Sequence, residues 1–223
     1  MFRKGLAVRF LFEARLIVGD NPVISLNQAD LTRVILRNAE LKEVNFDGAL
    51  MAEADLSVSN LNDSYLRNVE LTRATLSSTS FLNANLESAD MVESNLKDAD
   101  LDGAFLNDVD LSHSNLTLTN LRGAHMQDAD LSDAILLDAE LEGADLKGAV
   151  LRRVDLARTN LSRANLTDAT LESGQLASAR SLIEAIFPDG RTKTPAELSQ
   201  YRRRYRTLWS RVRGFIRNHF MLN

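Results

Sequence analysis

The chain of 223 residues contains no cysteine, which excludes disulfide bonds, thiol chemistry and cysteine-ligated metal sites. This absence leaves the compartment open, because a reducing cytosol permits cysteine without requiring it. No apolar run approaches the ~18 residues that a membrane-spanning helix needs. Arg9, Glu13 and Arg15 interrupt the stretch where a secretory signal would need an unbroken apolar core. We therefore expect a cytoplasmic protein.

What the chain does contain is an unbroken period of five. From Leu26 to Leu176 there are 31 positions spaced by five, and every one is Leu, Phe or Met. We call each of these the i position. The i−2 position holds 17 Ala, five Val, four Ser and three Thr, with Ile24 and Gly174 at the two ends. A repeat of this length has to be interpreted before any local prediction.

Neither a helix nor a long strand can carry this pattern. Five residues advance a helix by ~140°, so successive leucines would spiral around its surface. An odd period sends alternate leucines to opposite faces of a strand, although i−2 and i share one face. Each pentapeptide is therefore predicted to be a short extended piece followed by a bend. If the bends are right angles, four pentapeptides close a square, and residues 20 apart stack at ~4.8 Å.

The segment "ADLSDAILLDAELEGADL", residues 129–146, resembles the A(D/N)LXX repeat of the pentapeptide-repeat family. The resemblance covers about 155 of the 223 residues. It implies an all-β solenoid, a right-handed quadrilateral parallel β-helix of about eight coils, and the handedness comes from the resemblance alone. We predict an N-terminal helical cap at 1–20, the β-helix at 21–180 and a C-terminal helical segment at 181–223.

Both ends of the chain have the pattern of helices that could cover the open edges of a solenoid. Near the N-terminus, a helix-like segment has an apolar side that includes Phe2, Leu6, Phe10 and Leu11. Beyond the repeat, Ser181 and Glu184 predict a capping box and a short turn of helix that ends before Pro188 and Gly190.

A longer C-terminal helix is predicted over 195–219, with Thr194 as N-cap, Pro195 at the first position and Glu197 three residues after the cap. One face is apolar and aromatic, and the other is basic. The helix could be a lid on the last coil, a dimer contact that makes the protein a homodimer rather than a monomer, or a contact to an anionic surface such as a membrane. The candidate basic contacts are Arg202, Arg203, Arg204, Arg206, Arg211 and Arg213.

Acidic and basic residues are distributed unevenly along the chain. Residues 26–180 hold 26 acidic and 13 basic residues, and within them residues 86–145 hold 15 acids against Lys97 and Arg122 alone. The i−1 acids Glu70, Asp90, Asp110 and Asp130 are predicted to stack in one column, where backbone donors, or less readily cations, would satisfy them. The remaining outward acids are not required by the fold and form a candidate partner-binding surface: Glu87, Glu93, Asp98, Asp102, Asp108, Asp128, Asp133, Asp138 and Glu142.

One face of the predicted rod is less acidic than the others and carries outward apolar residues. Three of them, Leu118, Ile135 and Leu137, would lie on adjacent coils, which makes a small apolar contact patch possible. Scattered surface residues are the equal alternative.

The repeat gives no indication of an active site. A regular rod with a filled core has no pocket, and His113, His125 and His219 have neither metal-ligand nor triad spacing. Gly48, Gly103, Gly123, Gly143 and Gly148 all lie at i+2, where they belong to the bends rather than to a phosphate loop. We predict a protein that is not an enzyme, with no catalytic residues, cofactor or metal.

Three functions compete, and none of them includes direct nucleic-acid binding. The first is a scaffold that presents a rigid acidic rod to a protein partner. The second is mimicry of DNA, because resemblance to the quinolone-resistance branch of the family implies binding to DNA gyrase or topoisomerase. The third is a membrane-surface protein, since "KGLAVRFLFEARLI" before "NPVISLNQADL" resembles the lead-in of some bacterial, especially cyanobacterial, members with membrane spans upstream.

Overall fold

The computed structural model describes residues 2–17 and 25–205. Helix α1 spans Phe2–Glu13, a 3₁₀ helix spans Gln175–Ser178, and the described part of helix α2 spans residues 195–205. From residue 25 to the coil that contains Ile186, the chain winds as a β-helix in which most pentapeptides contribute one bridge residue, at i−1. The strands are thus as short as the period of five requires.

Successive coils pair in parallel, 20 residues apart. Asp30 pairs with Leu50, and the column that they begin continues to Thr170, with eight residues in all. The N–H of Leu31 donates to the carbonyl of Leu50 at 2.7 Å, and the N–H of Leu50 donates to the carbonyl of Ala29 at 2.9 Å. Each coil therefore takes four pentapeptides and satisfies the backbone groups of its neighbours.

Each corner is a turn closed by an N–H at i+3 that donates to the carbonyl at i, as from Ala49 to Phe46 at 2.9 Å. The residue at i+2 has positive φ, for example 62° at Val58 and 64° at Gly48. Asp or Asn at i−1 supports the bend, because its side-chain oxygen accepts the N–H at i+1, as Asn95 accepts from Lys97 at 3.2 Å. These local bonds set the right-angled path.

The core runs through the middle of the coils. The i residues from Leu31 to Leu166 are buried, Phe46 and Phe81 completely, and the small i−2 residues fill the space between them. Thr79 and Thr119 at i−2 are buried as well, and their hydroxyls donate to the carbonyls of Leu56 at 2.8 Å and Leu96 at 2.9 Å. The hydroxyls therefore enter the core without losing their hydrogen bonds.

Helix α1 packs on the first coils through Gly5, Val8 and Phe12, which share one side of the helix. Val8 is buried, and Phe12 is half-buried against the core. A Cβ on Gly5 would collide with the carbonyl oxygen of Ile35, so glycine is what allows this approach. Lys4 also pairs with Asp30 at 3.1 Å.

The prediction for the apolar side of this helix was wrong in part. Leu6 and Phe10 point away from the β-helix, with 67% and 65% of their surface exposed. Leu11 does pack against the core, and the side chain of Phe2 lies outside the described residues. The close approach of Gly5 turns the helix so that Leu6 and Phe10 face solvent.

At the other end the period changes once. The step from Leu176 to Leu182 is six residues, and the 3₁₀ helix Gln175–Ser178 absorbs the extra one. Gln175 turns into the core, where its Nε2 donates to the carbonyls of Leu151 at 2.7 Å and Val154 at 3.0 Å. The coil can then resume with its backbone pairing intact.

The predicted capping box and helical turn at Ser181 were wrong. Ser181 pairs in parallel with Asn160, and Leu182 and Phe187 take buried i positions. Glu184 lies at i+2 and pairs with Arg163 at 2.9 Å. The reason is the open edge of the coil below, whose backbone groups a helix at 181 would leave unpaired. The predicted boundary at 181 therefore falls inside the β-helix.

The capping box of α2 is confirmed. The N–H of Thr194 donates to the Glu197 carboxylate at 2.7 Å, and the N–H of Glu197 donates to the Thr194 hydroxyl at 3.3 Å. Leu198 and Tyr201 pack against the core, and the Tyr201 ring meets the Phe187 ring edge-on at 5.9 Å. Burial raises the pKa of Tyr201 to about 12. Residues 206–219 of the predicted helix lie outside the described residues.

Candidate protein-interaction surface

Several predicted surface acids are held by arginines one coil away. At i+2, Arg73 pairs with Glu93 at 2.7 Å, and Arg153 Nε lies 2.7 Å from Asp133. These hydrogen bonds hold the pKa of both carboxyl groups below their ordinary values. The other pairs are Asp138 with Arg158 at 2.6 Å and Glu142 with Arg163 at 3.5 Å.

The other predicted acids form no close ion pair with a basic side chain. Asp98 lies 4.0 Å from Lys97 Nζ. Among the described residues, no cation lies within ion-pair distance of a set that we call the open acids: Glu87, Asp102, Asp108 and Asp128. Glu87, Asp108 and Asp128 follow the bridge column Tyr65–His125 along the chain, and Asp102 precedes it. The open acids therefore border one face.

This face carries exposed aromatic side chains that the sequence analysis missed. Tyr65 and Phe105 are 50% and 39% exposed, and His125 is exposed too. The rings of Phe105 and His125 stack with centroids 4.9 Å apart and planes 5° apart. The available signal was the aromatic type at i−1, an outward position, repeated at multiples of 20. We call Tyr65, Asn85, Phe105 and His125 the aromatic column.

Backbone donors hold three of the four stacked i−1 acids of a neighbouring face, as predicted for the column. The carboxylates of Asp90, Asp110 and Asp130 accept N–H groups two residues on, at 3.2, 2.9 and 2.8 Å. Within the described ranges no group of three or more His, Asp or Glu is placed to hold a metal ion. Their spacing is therefore a property of the bends.

The predicted apolar patch does not form as a unit. Leu118 is 50% exposed and Ile135 is half-buried, but Leu137 is buried at 8% exposure. The prediction was wrong for Leu137 because its neighbours on the next coil, Asp155 and Ala157, are buried too. That part of the surface is enclosed rather than open.

The basic face of α2 is partly used inside the protein. Arg202 donates from Nη2 to the carbonyls of Ala179 at 3.1 Å and Arg180 at 3.0 Å, which anchors the helix to the last coils. Arg203 and Arg204 are exposed. Arg206, Arg211 and Arg213 lie outside the described residues. Within residues 2–17 and 25–205, no helix has the length and apolar character to span a membrane.

Comparison with known proteins agrees with this geometry. The family pattern for pentapeptide repeats matches residues 24–51, 49–87, 70–108, 79–117, 106–136, 114–153 and 134–172. Trypsin-treated QnrB1, a plasmid-mediated fluoroquinolone resistance protein, superposes with a TM-score of 0.62 at 17% identity, over 81% of this chain and 91% of that chain. At this identity the likeness shows the fold alone.

HetL, a pentapeptide repeat protein involved in heterocyst differentiation regulation from the cyanobacterium Nostoc sp. strain PCC 7120, is 30% identical. The match covers 75% of this chain and 86% of HetL, with a TM-score of 0.28. Comparison with curated proteins gave no match. Because the family pattern spans most of the coils that pair at a spacing of 20 residues, the chain belongs to the pentapeptide-repeat family and folds as a β-helix.

Proposed function

We propose that this protein is not an enzyme and binds a protein partner through the face that the open acids border. One observation supports the proposal. Arginines on adjacent coils form ion pairs with many of the surface carboxylates, but not with Glu87, Asp102, Asp108 or Asp128. An uncompensated acidic surface attracts basic partners and speeds their association.

A matched pair of variants tests this proposal. The first neutralises the open acids as Glu87→Gln, Asp102→Asn, Asp108→Asn and Asp128→Asn. The second makes the same change in net charge at four ion-paired acids, as Glu53→Gln, Glu93→Gln, Glu142→Gln and Glu184→Gln. Partners captured from lysate are compared by mass spectrometry.

We expect partners to be lost with the first variant and kept with the second. Equal loss from both variants would show that net charge alone matters and would contradict the assignment to this face. The same partners on wild type and both variants would also contradict it. Circular dichroism of all three proteins separates loss of binding from loss of fold.

We further propose that α1 and α2 cap the two ends of the β-helix. Support comes from the packing of Val8 at one end and of Tyr201 at the other. A cap prevents end-to-end association of open coil edges. Removing residues 195–223 should therefore produce larger species in sedimentation. If α2 instead joins two chains, the full protein is dimeric and the truncated one monomeric.

Mimicry of DNA is a second candidate, favoured by the acid-rich block of residues 86–145. It predicts inhibition of supercoiling by purified DNA gyrase at micromolar protein, relieved by the variant that neutralises the open acids. Unchanged gyrase activity at tens of micromolar protein would contradict mimicry and leave the first proposal standing.

Contact of α2 with an anionic membrane surface is a third candidate, for which the exposed Arg203 and Arg204 give support. Flotation with anionic vesicles tests it, using Arg203→Gln with Arg204→Gln and leaving Arg202 in its contacts with the last coils. Absence of flotation at low salt would contradict membrane contact.

A further inference from the structure

The aromatic column has one level without a ring. Tyr65, Asn85, Phe105 and His125 are consecutive bridge partners, so each lies one coil from the next. Where two rings occupy adjacent levels, at Phe105 and His125, their centroids are 4.9 Å apart. Asn85 interrupts this stack between Tyr65 and Phe105.

The interruption is a hollow in the surface. A cavity of about 370 Å³ is lined by Asp63, Ser64, Tyr65, Asn83, Asn85, Glu87 and Phe105, and we call it the Asn85 hollow. The side chain of Asn85 stays low, because its Oδ1 accepts the N–H of Glu87 at 3.0 Å. A flat group at this level would lie roughly 4.8 Å from the Tyr65 level and the same distance from the Phe105 level. The interval between these two levels is thus the one that a single planar group would occupy.

The carboxylates around the hollow favour a planar group that is positively charged. Glu87 is an open acid, and its Oε1 accepts only a long hydrogen bond, 3.5 Å, from Asn107. The Asp63 carboxylate has two long contacts, with Lys42 Nζ at 3.4 Å and with Asn83 Nδ2 at 3.4 Å. The guanidinium of Arg67 pairs with Asp47 at 2.6 Å and is attracted by Glu87 only beyond ion-pair distance. The site therefore combines two aromatic side chains with carboxylates that can accept hydrogen bonds.

We propose that the Asn85 hollow binds the guanidinium group of an arginine side chain from a protein partner. Guanidinium is planar, cationic and weakly hydrated, so it can stack between rings while its N–H groups bind a carboxylate. An ammonium group has the charge without the plane, and a neutral ring has the plane without the charge. This inference rests on the proposed function only for the source of the arginine.

The test uses the full chain with ¹³C-labelled Tyr and Phe and, as probe, N-acetyl-arginine amide. NMR titration should give saturable shifts of the Tyr65 and Phe105 ring signals, with N-acetyl-lysine amide binding about tenfold more weakly. N-acetyl-citrulline amide, which keeps the plane and lacks the charge, should give no shift. Absence of shifts with arginine, or equal shifts with citrulline, would overturn the proposal.

A variant that fills the vacant level gives the second arm. Asn85→Phe places a ring between Tyr65 and Phe105 and should abolish arginine binding. Asn95→Phe is its matched control, since Asn95 occupies the same repeat position on another face and its Oδ1 accepts the N–H of Lys97 at 3.2 Å. Wild-type affinity in Asn85→Phe, or loss of affinity in both folded variants, would contradict the assignment.

Glu87→Gln tests the electrostatic part and should weaken arginine binding by about three- to tenfold. An unchanged affinity would exclude this carboxylate and overturn the site as described. Because the probe is a small molecule, this titration needs no partner. Arginine binding without any captured partner would contradict the proposed function alone, whereas a captured partner without arginine binding would contradict the hollow alone.

Discussion

At the scale of single residues, the corner position i+2 combines a fixed backbone conformation with varied side chains. Val58 adopts φ 62° there although it is β-branched and 59% exposed. Left-handed backbone costs a β-branched residue about 1–2 kcal/mol, and Asn tolerates it far better. Val58→Asn should therefore raise the free energy of unfolding by about 0.5–1 kcal/mol in chemical denaturation. Val92→Asn, at i+1 without positive φ, is the control and should give no gain.

Also at this scale, Asp133 should give stability a measurable pH dependence. The Arg153 pair lowers the pKa of Asp133, so its contribution is complete above the ordinary value of about 3.9 and disappears as pH falls through the lowered value. Asp133→Asn should cost about 1–2 kcal/mol at pH 7, and the difference from wild type should shrink below about pH 4. A difference that is constant from pH 7 to pH 2 would contradict this cause. Asp102→Asn serves as the unpaired control.

At the scale of elements, Gly5 decides how α1 sits on the β-helix. In an exposed helix, Gly→Ala stabilises by about 1 kcal/mol. Here the added Cβ would meet the carbonyl oxygen of Ile35, so Gly5→Ala should instead destabilise by about 1–3 kcal/mol. Thermal unfolding and hydrogen exchange of Val8 and its neighbours measure this. Leu6→Ala, at an exposed position of the same helix, should be near neutral.

The ends of the β-helix were less predictable than its middle. The period of five determines the turns, the i+2 conformation and the core, because each follows from one local pattern. The coil at Ser181 was mistaken for a helix since its capping-box spacing is a local signal, whereas its actual partner, Asn160, is 21 residues away. The orientation of α1 depends on one close contact of Gly5 that no periodicity reports.

At the scale of the whole molecule, the core is a stack in which each coil contacts only its neighbours. Leu101→Ala in a central coil should cost about 2–5 kcal/mol, because its buried surroundings cannot collapse into the cavity. Leu118→Ala, half exposed, should cost under about 0.5 kcal/mol. Equal costs for the two variants in denaturant titrations would contradict the filled core.

Only part of the candidate surface could be predicted from the sequence. The block of acids at 86–145 located the region, but which acids remain open depends on the residue one coil away. Asp133 and Asp138 are neutralised by Arg153 and Arg158, 20 positions on, whereas Asp108 meets another acid at that offset, Asp128. Comparing residues 20 apart would have found these pairs and the aromatic column. The burial of Leu137 could not have been predicted by comparing residues 20 apart.

The constant distance between paired residues also bears on how fast this chain folds. The backbone hydrogen bonds that join one coil to the next link residues 19 to 22 apart, for example Gln28 with Asp47 and Leu50 with Ala29. Relative to the chain length this gives a contact order of about 0.09, in the range of helical bundles rather than of β-sandwiches. Loop closure then has nearly the same entropy at every step. A nucleus of two coils can form anywhere and extend in both directions, so lengthening the rod should leave the folding rate almost unchanged.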